Sequence, residues 1–177
     1  MEGDKRAERE LSRFQEQYDE CSIETVEREV AAETFELAMK DAGKVVDVRV
    51  WIERGGEVLL IRDRNAPTDW TEPGGTPESG ESYEDTARRE TSEETGVVCE
   101  ITDLRGVVRH IIRNEDEPES AVQMIQAFFR AESPSGTIEV QNEEVCEGRW
   151  WSTVPDSFHS DFGVPDTFPT NKATGAQ

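Results

Sequence analysis

Between Gly75 and Val97 the chain reads GTPESGESYEDTARRETSEETGV, and its acidic residues are spaced for joint chemistry. Ser82 followed by Asp85 three residues on is a capping-box arrangement, and Gly96 stands where a left-handed helix end would fall. The spacing therefore predicts one helix of about four turns. On it Glu90, Glu93 and Glu94 share a face, being related by i, i+3 and i+4, while Tyr83, Ala87 and Thr91 form a second stripe suited to packing. Three carboxylates side by side repel one another and weaken the helix that carries them. A fold that keeps them together is expected to neutralise them with a hard divalent cation, for which Mg²⁺ is the natural candidate.

The segment resembles the Nudix box, G-x5-E-x7-R-E-U-x-E-E-x-G-U with U aliphatic. Gly75, Glu81, Arg89, Glu90, Glu93, Glu94, Gly96 and Val97 occupy the required positions, and Thr91 departs from the aliphatic one. Upstream, Trp70 and Pro73-Gly74-Gly75 also fit, with Glu72 where the family commonly has an apolar residue. Acidic chains match acidic motifs by accident, yet with 13 Gly, 28 Glu and 15 Arg among 177 residues the chance of this match is roughly a few in 10⁵.

The resemblance implies an α+β Nudix fold, with a mixed β-sheet sandwiched between helices. It implies hydrolysis of a diphosphate linkage in a nucleoside diphosphate joined to another moiety, with Mg²⁺ as cofactor and Mn²⁺ as substitute. The implied metal ligands are Glu90, Glu93, Glu94 and the backbone carbonyl of Gly75. Arg89 would orient a neighbouring carboxylate, and Glu81 would be a structural or outer acid. The implied general base is Glu90, Glu93 or a carboxylate from a later loop. Glu144, six residues before Trp150, resembles such a carboxylate in some relatives, or is a solvated charge of an acidic loop. On the substrate side, Arg62 stands where relatives often place an Arg that contacts substrate, or is a surface strand-end Arg. Arg49 and Trp51 share one strand face, where a charged contact to phosphate and stacking on a base would combine. Alternatively they cover the N-terminal helices, and packing is the favoured reading of Trp51. The alternative function is a Nudix-fold nucleotide-binding or regulatory module without turnover, against which the intact set Arg89, Glu90, Glu93 and Glu94 argues.

The elements that must carry these residues are legible upstream and downstream. From Val46 the pattern alternates, with Val46, Val48, Val50 and Ile52 on one face, which predicts a strand. Arg54-Gly55-Gly56-Glu57 predicts a hairpin turn into Val58-Leu59-Leu60-Ile61, whose unbroken apolar run predicts burial on both faces. Further strands are expected near residues 97–112, 121–131 and 147–152. Residues 1–43 read as an N-terminal helical appendage: Ala7, Leu11, Phe14 and Tyr18 recur on one helix face. A second helix is expected to start at a Ser22 cap, turn Val26, Val30, Leu37 and Ala38 inward and end at Gly43. The stripe needs a partner surface, either on the same chain or on a second copy in a homodimer. Residues 44–160 are then the Nudix domain, and 161–177, rich in Pro, Thr and Asp, a flexible tail.

Composition bounds the setting. Asp plus Glu number 40 against 19 Lys plus Arg, a formal charge of −21, which disfavours nucleic acid and other polyanions as partners. Only 4 basic residues are Lys and 15 are Arg, the balance of a halophilic proteome. Three widely spaced cysteines, Cys21, Cys99 and Cys146, suggest neither a disulfide framework nor a zinc site. No stretch is apolar for long enough to span a membrane, and MEGDKRAERE is too charged for a secretory signal, so a cytoplasmic location is expected. In molar salt the Debye length falls to about 3 Å, which relieves repulsion among surface carboxylates. The unfolding midpoint is therefore expected to rise with KCl into the molar range; denaturation curves at low and high KCl with an unchanged midpoint would show that the acidity is no salt adaptation.

Overall fold

The computed structural model describes residues 2–140 and 142–170. Its elements are α1 (Glu2–Gln17), β1 (Ile23–Val30), α2 (Ala32–Asp41), β2 (Val46–Arg54), β3 (Glu57–Asp63), β4 (Gly74–Gly75), α3 (Tyr83–Thr95), β5 (Val98–Asn114), β6 (Ala121–Ser135) and β7 (Val145–Trp151). This is the expected α+β architecture, a mixed sheet flanked by helices. Two compact units divide the chain, residues 1–48 with 104–128 and residues 49–103 with 129–177. Strands β2, β5 and β6 contribute residues to both.

In the first unit the strand order is β1-β5-β6. The stripe of α1 behaves as its spacing predicts: Ala7, Leu11 and Phe14 are buried, and Phe14 stacks on Tyr18 at 6.1 Å between ring centroids. Its partner surface lies on the same chain. Arg109 of β5 donates to Glu8 at 2.6 Å, and Gln123 of β6 donates to Asp4 at 2.8 Å. The helix expected from Ser22 is corrected by the structure. Ile23–Val30 is a strand that pairs with β5 in parallel, Ile23 opposite Val107 and Val30 opposite Asn114. Ser22 caps no helix; its carbonyl accepts from Val107 N at 2.9 Å. Val26 and Val30 stand four apart, which mimics a helical face, but Ile23, Thr25, Val26 and Val30 are β-branched and suit a pleated ladder. α2 starts only at Ala32, ends at Ala42 in a right-handed conformation rather than at a left-handed Gly43, and buries Phe35, whereas Leu37 is 58% exposed.

In the second unit the order is β6-β2-β3-β7, with β4 on β2. Gly55 and Gly56 both have positive φ, +54° and +82°, as a tight two-residue hairpin turn demands, and Arg54 pairs with Glu57 across it. Val58, Leu59, Leu60 and Ile61 are buried, because β3 is central, flanked by β2 and β7. The three later strands fall where expected. Part of the segment expected to be a flexible tail is instead packed: Phe168 is buried with Trp51, Val58, Leu60, Trp70 and Val154, and Val154 N donates to Pro169 O at 3.1 Å. Residues 171–177 of that expected tail lie outside the described residues.

Buried and exposed members of the N-terminal helices should therefore respond differently to truncation. Phe14→Ala is expected to cost about 3–5 kcal/mol and Leu37→Ala less than about 0.5 kcal/mol in urea unfolding, and equal effects would contradict this packing.

Candidate active site

The predicted box helix forms with the predicted ends. Ser82 accepts a bond from Asp85 N at 3.1 Å, and Gly96 closes α3 with φ +72°, donating to Ser92 O at 2.8 Å. Tyr83, Ala87 and Thr91 are buried, so the opposite stripe carries Glu90 and Glu93 away from the packed face. Thr91, in the aliphatic position of the pattern, is accommodated in the core of this unit.

Arg89 organises the carboxylates. Its Nε and Nη2 grip both oxygens of Glu81 at 2.8 and 3.1 Å; its Nη1 donates to Glu90 at 2.9 Å and to Glu93 at 3.1 Å; Nη2 also reaches the carbonyl of Thr76 at 3.1 Å. Five acceptors thus meet the five N–H donors of one guanidinium. The Arg89 hydrogen bond, aided by Glu78 N–H and the Thr86 hydroxyl, holds the Glu81 carboxyl down to about 2, so it stays ionised. Burial pushes the Glu90 carboxyl up; Arg89 opposes this, and the negative charges of Glu93 and Glu144 add to it. Glu94 is buried and accepts the N–H of Gly74 at 2.9 Å, which ties α3 to β4.

Gly75 owes its identity to Glu90. A Cβ at this position would lie 2.4–2.8 Å from the Glu90 carboxylate atoms, closer than side chains pack. The other expected residues are placed as follows. Glu144 lies in a turn clamped to the end of β3, where Arg64 donates its N–H to Glu144 O at 2.7 Å and its Nε to Glu143 O at 2.6 Å, and its charge acts on Glu90. Arg49 donates to Glu72 O at 3.3 Å, just before the Gly74-Gly75 bridge. Arg62 lies over the Trp70 ring at 4.3 Å and pairs with Glu147 at 3.3 Å, neither of them in the carboxylate cluster. Trp51 takes the packing role and not the stacking one: it is fully buried, its Nε1 donates to Glu53 at 2.8 Å, and Phe158 and Phe168 pack edge-on against it. It offers no surface for stacking on a base, and the aromatics that cover it belong to the C-terminal segment, not to the N-terminal helices. Thr86 and Glu147 gave no signal in the sequence, because their roles depend on contacts made by other elements.

A hard divalent cation fits the donor set in chemistry: oxygen ligands only, several of them ionised, with Glu90 and its neighbours mutually repelling. Among the described residues no three ligand side chains converge on one point, since Arg89 holds Glu90 and Glu93. Gly75→Ala must displace a flexible carboxylate rather than backbone. It is expected to leave stability within about 1 kcal/mol while weakening Mn²⁺ binding about tenfold. Unchanged Mn²⁺ affinity in a titration would show that the close approach does not position Glu90.

Residues 43–159 match the NUDIX domain family model. Nucleoside diphosphate-linked moiety X motif 6 of Mus musculus is 35% identical over 112 residues, covering 62% of this chain and 33% of that protein. The NAD-capped RNA hydrolase NudC of Mannheimia succiniciproducens is 32% identical over 108 residues, covering 58% of this chain and 37% of that protein. The chain thus spans about a third of the length of these curated relatives. Among solved structures, a MutT protein from Bacillus halodurans superposes with a TM-score of 0.51 at 28% identity, covering 59% of this chain and 66% of that one. With the box helix, the Gly75 approach and a family match over most of its length, the chain belongs to the Nudix family.

Proposed function

We propose that the chain is a divalent-metal-dependent pyrophosphohydrolase that cleaves the diphosphate linkage of a small nucleoside diphosphate derivative. The observation that carries this reading is the Arg89-centred cluster of Glu81, Glu90 and Glu93, with Gly75 opened to admit the Glu90 carboxylate. Glu90, Glu93, Glu94 and the Gly75 carbonyl would hold Mg²⁺, or Mn²⁺ in its place. Bound there, the cation supplies charge stabilisation for the diphosphate oxygens and polarisation of water.

The chain's own residues do the rest. Arg89 holds Glu90 and Glu93 together on one nitrogen and offsets their repulsion. Glu81 stays ionised and fixes Arg89. Glu90, whose proton affinity burial raises, is suited to accept the proton of the attacking water, and Glu144 is the second candidate base. Arg49, beside the Gly-rich bridge, and Arg62 are the candidate cationic contacts to substrate. The charge of −21 favours small nucleotides over RNA, although a relative is named for capped RNA. In the same reading residues 44–160 carry the chemistry, and the acidity suits a salt-rich cytoplasm.

A panel of nucleoside diphosphate derivatives and capped RNA, assayed in molar KCl with Mg²⁺ or Mn²⁺, tests the proposal. The wild-type chain is expected to hydrolyse a small substrate, and Glu93→Gln or Glu94→Gln to lower turnover at least about 100-fold while both variants remain folded. Near-wild-type turnover in both folded variants would overturn the site assignment. Capped RNA as the preferred substrate would overturn the substrate class.

A further inference from the structure

The residue before the Gly-rich bridge is a buried acid. Glu72 is 1% exposed, in the place where the Nudix pattern commonly has an apolar residue, and Ser160 donates its hydroxyl to Glu72 Oε1 at 3.0 Å. That hydroxyl is itself oriented, since it accepts the N–H of Phe162 at 3.3 Å. Ser160 lies one residue beyond the span that matches the family model. An apolar side chain at position 72 would pack without desolvating a carboxylate, so packing alone does not account for this pair.

The surroundings show what the pair holds. Trp70 N donates to Ser157 O at 2.9 Å, His159 N donates to Trp70 O at 2.9 Å, and Trp70 bridges Phe158 in parallel. The C-terminal segment thus bridges the backbone at Trp70, and the Ser160–Glu72 bond adds a side-chain link two residues further on. On the other side Thr71 exchanges backbone bonds with Ile61 at 2.9 Å, Arg49 donates to Glu72 O, and Val50 N donates to Pro73 O at 3.0 Å. The next two residues are Gly74, whose N–H holds Glu94, and Gly75, against which Glu90 lies. Both glycines thus follow directly on the backbone that these bonds hold.

We infer that Glu72 and Ser160 are positioning residues: their hydrogen bond fixes residues 70–75 between the C-terminal segment and β2, and so sets Gly74 under Glu94 and Gly75 against Glu90. The consequence for turnover rests on the proposed hydrolase reading, whereas the consequence for Gly74 does not.

Full-length Ser160→Ala and Ser160→Thr separate the two. In Ser160→Ala, amide exchange at Gly74 is expected to accelerate about tenfold while Ile52 and Leu59 in the hairpin keep their protection. Mn²⁺ affinity and kcat are expected to fall about tenfold, and Ser160→Thr, which keeps the hydroxyl, to restore all three. The inference is overturned if exchange accelerates uniformly, if Gly74 exchange or Mn²⁺ affinity is unchanged in Ser160→Ala, or if Thr fails to rescue. A wild-type chain that binds no Mn²⁺ and hydrolyses nothing would defeat the hydrolase reading; Gly74 exchange with its Thr rescue then decides the positioning alone.

Discussion

Arg89 holds three carboxylates that would otherwise repel one another. At an effective dielectric constant near 20, two like charges about 4 Å apart repel by about 4 kcal/mol, comparable with a large share of a domain's net stability. A planar guanidinium answers this with geometry as well as charge, since it meets Glu81 with two donors, Glu90 and Glu93 with a shared nitrogen, and Thr76 with the remainder. A Lys at the same position would bring one ammonium and three donors without the fixed fork. On the box helix this contact offsets the repulsion between Glu90 and Glu93, while Glu94 is held separately by the Gly74 N–H.

What the cluster needs next is a rigid floor. β3 supplies it, with Leu59, Leu60 and Ile61 each contributing about 1.5–3 kcal/mol on burial, whereas exposed pairs such as Arg88–Asp85 contribute about 0–1 kcal/mol. From this strand the Thr71 bridge leads to Gly74 and Gly75, and Arg64 at its end grips the turn that carries Glu144. Two acidic segments far apart in sequence are thereby set around Glu90 by one apolar strand.

The residues that were legible in sequence are those whose partners are local. Ser82 and Gly96 bound α3 by short-range hydrogen bonds, and Gly55-Gly56 turn the hairpin through their own φ angles, so spacing alone identifies them. Residues fixed by distant partners were not legible. Ile23–Val30 becomes a strand because β5 offers it a ladder, and no period within eight residues announces that. Packing suits Trp51 from its place in the strand, but its cover does not come from the N-terminal helices: Phe158 and Phe168, more than 100 residues on, supply it. Glu72 was visible as a departure from the pattern, but its meaning depends on Ser160.

The parallel pairing of β1 with β5 has a consequence for how the chain is made. Ile23 meets Val107, so at about 5–20 residues per second β1 leaves the ribosome roughly 4–17 s before its ladder exists. Closing that loop is an entropic cost that local contacts cannot repay early. The Gly55-Gly56 hairpin, by contrast, can close on a timescale of roughly microseconds once synthesised. During the interval the strand is an unpaired edge, and three Glu residues at positions 24, 27 and 29 are what that edge presents to other nascent chains. β1 stays the terminal strand of its sheet once β5 has paired with it, so the same charges border an open edge before and after folding.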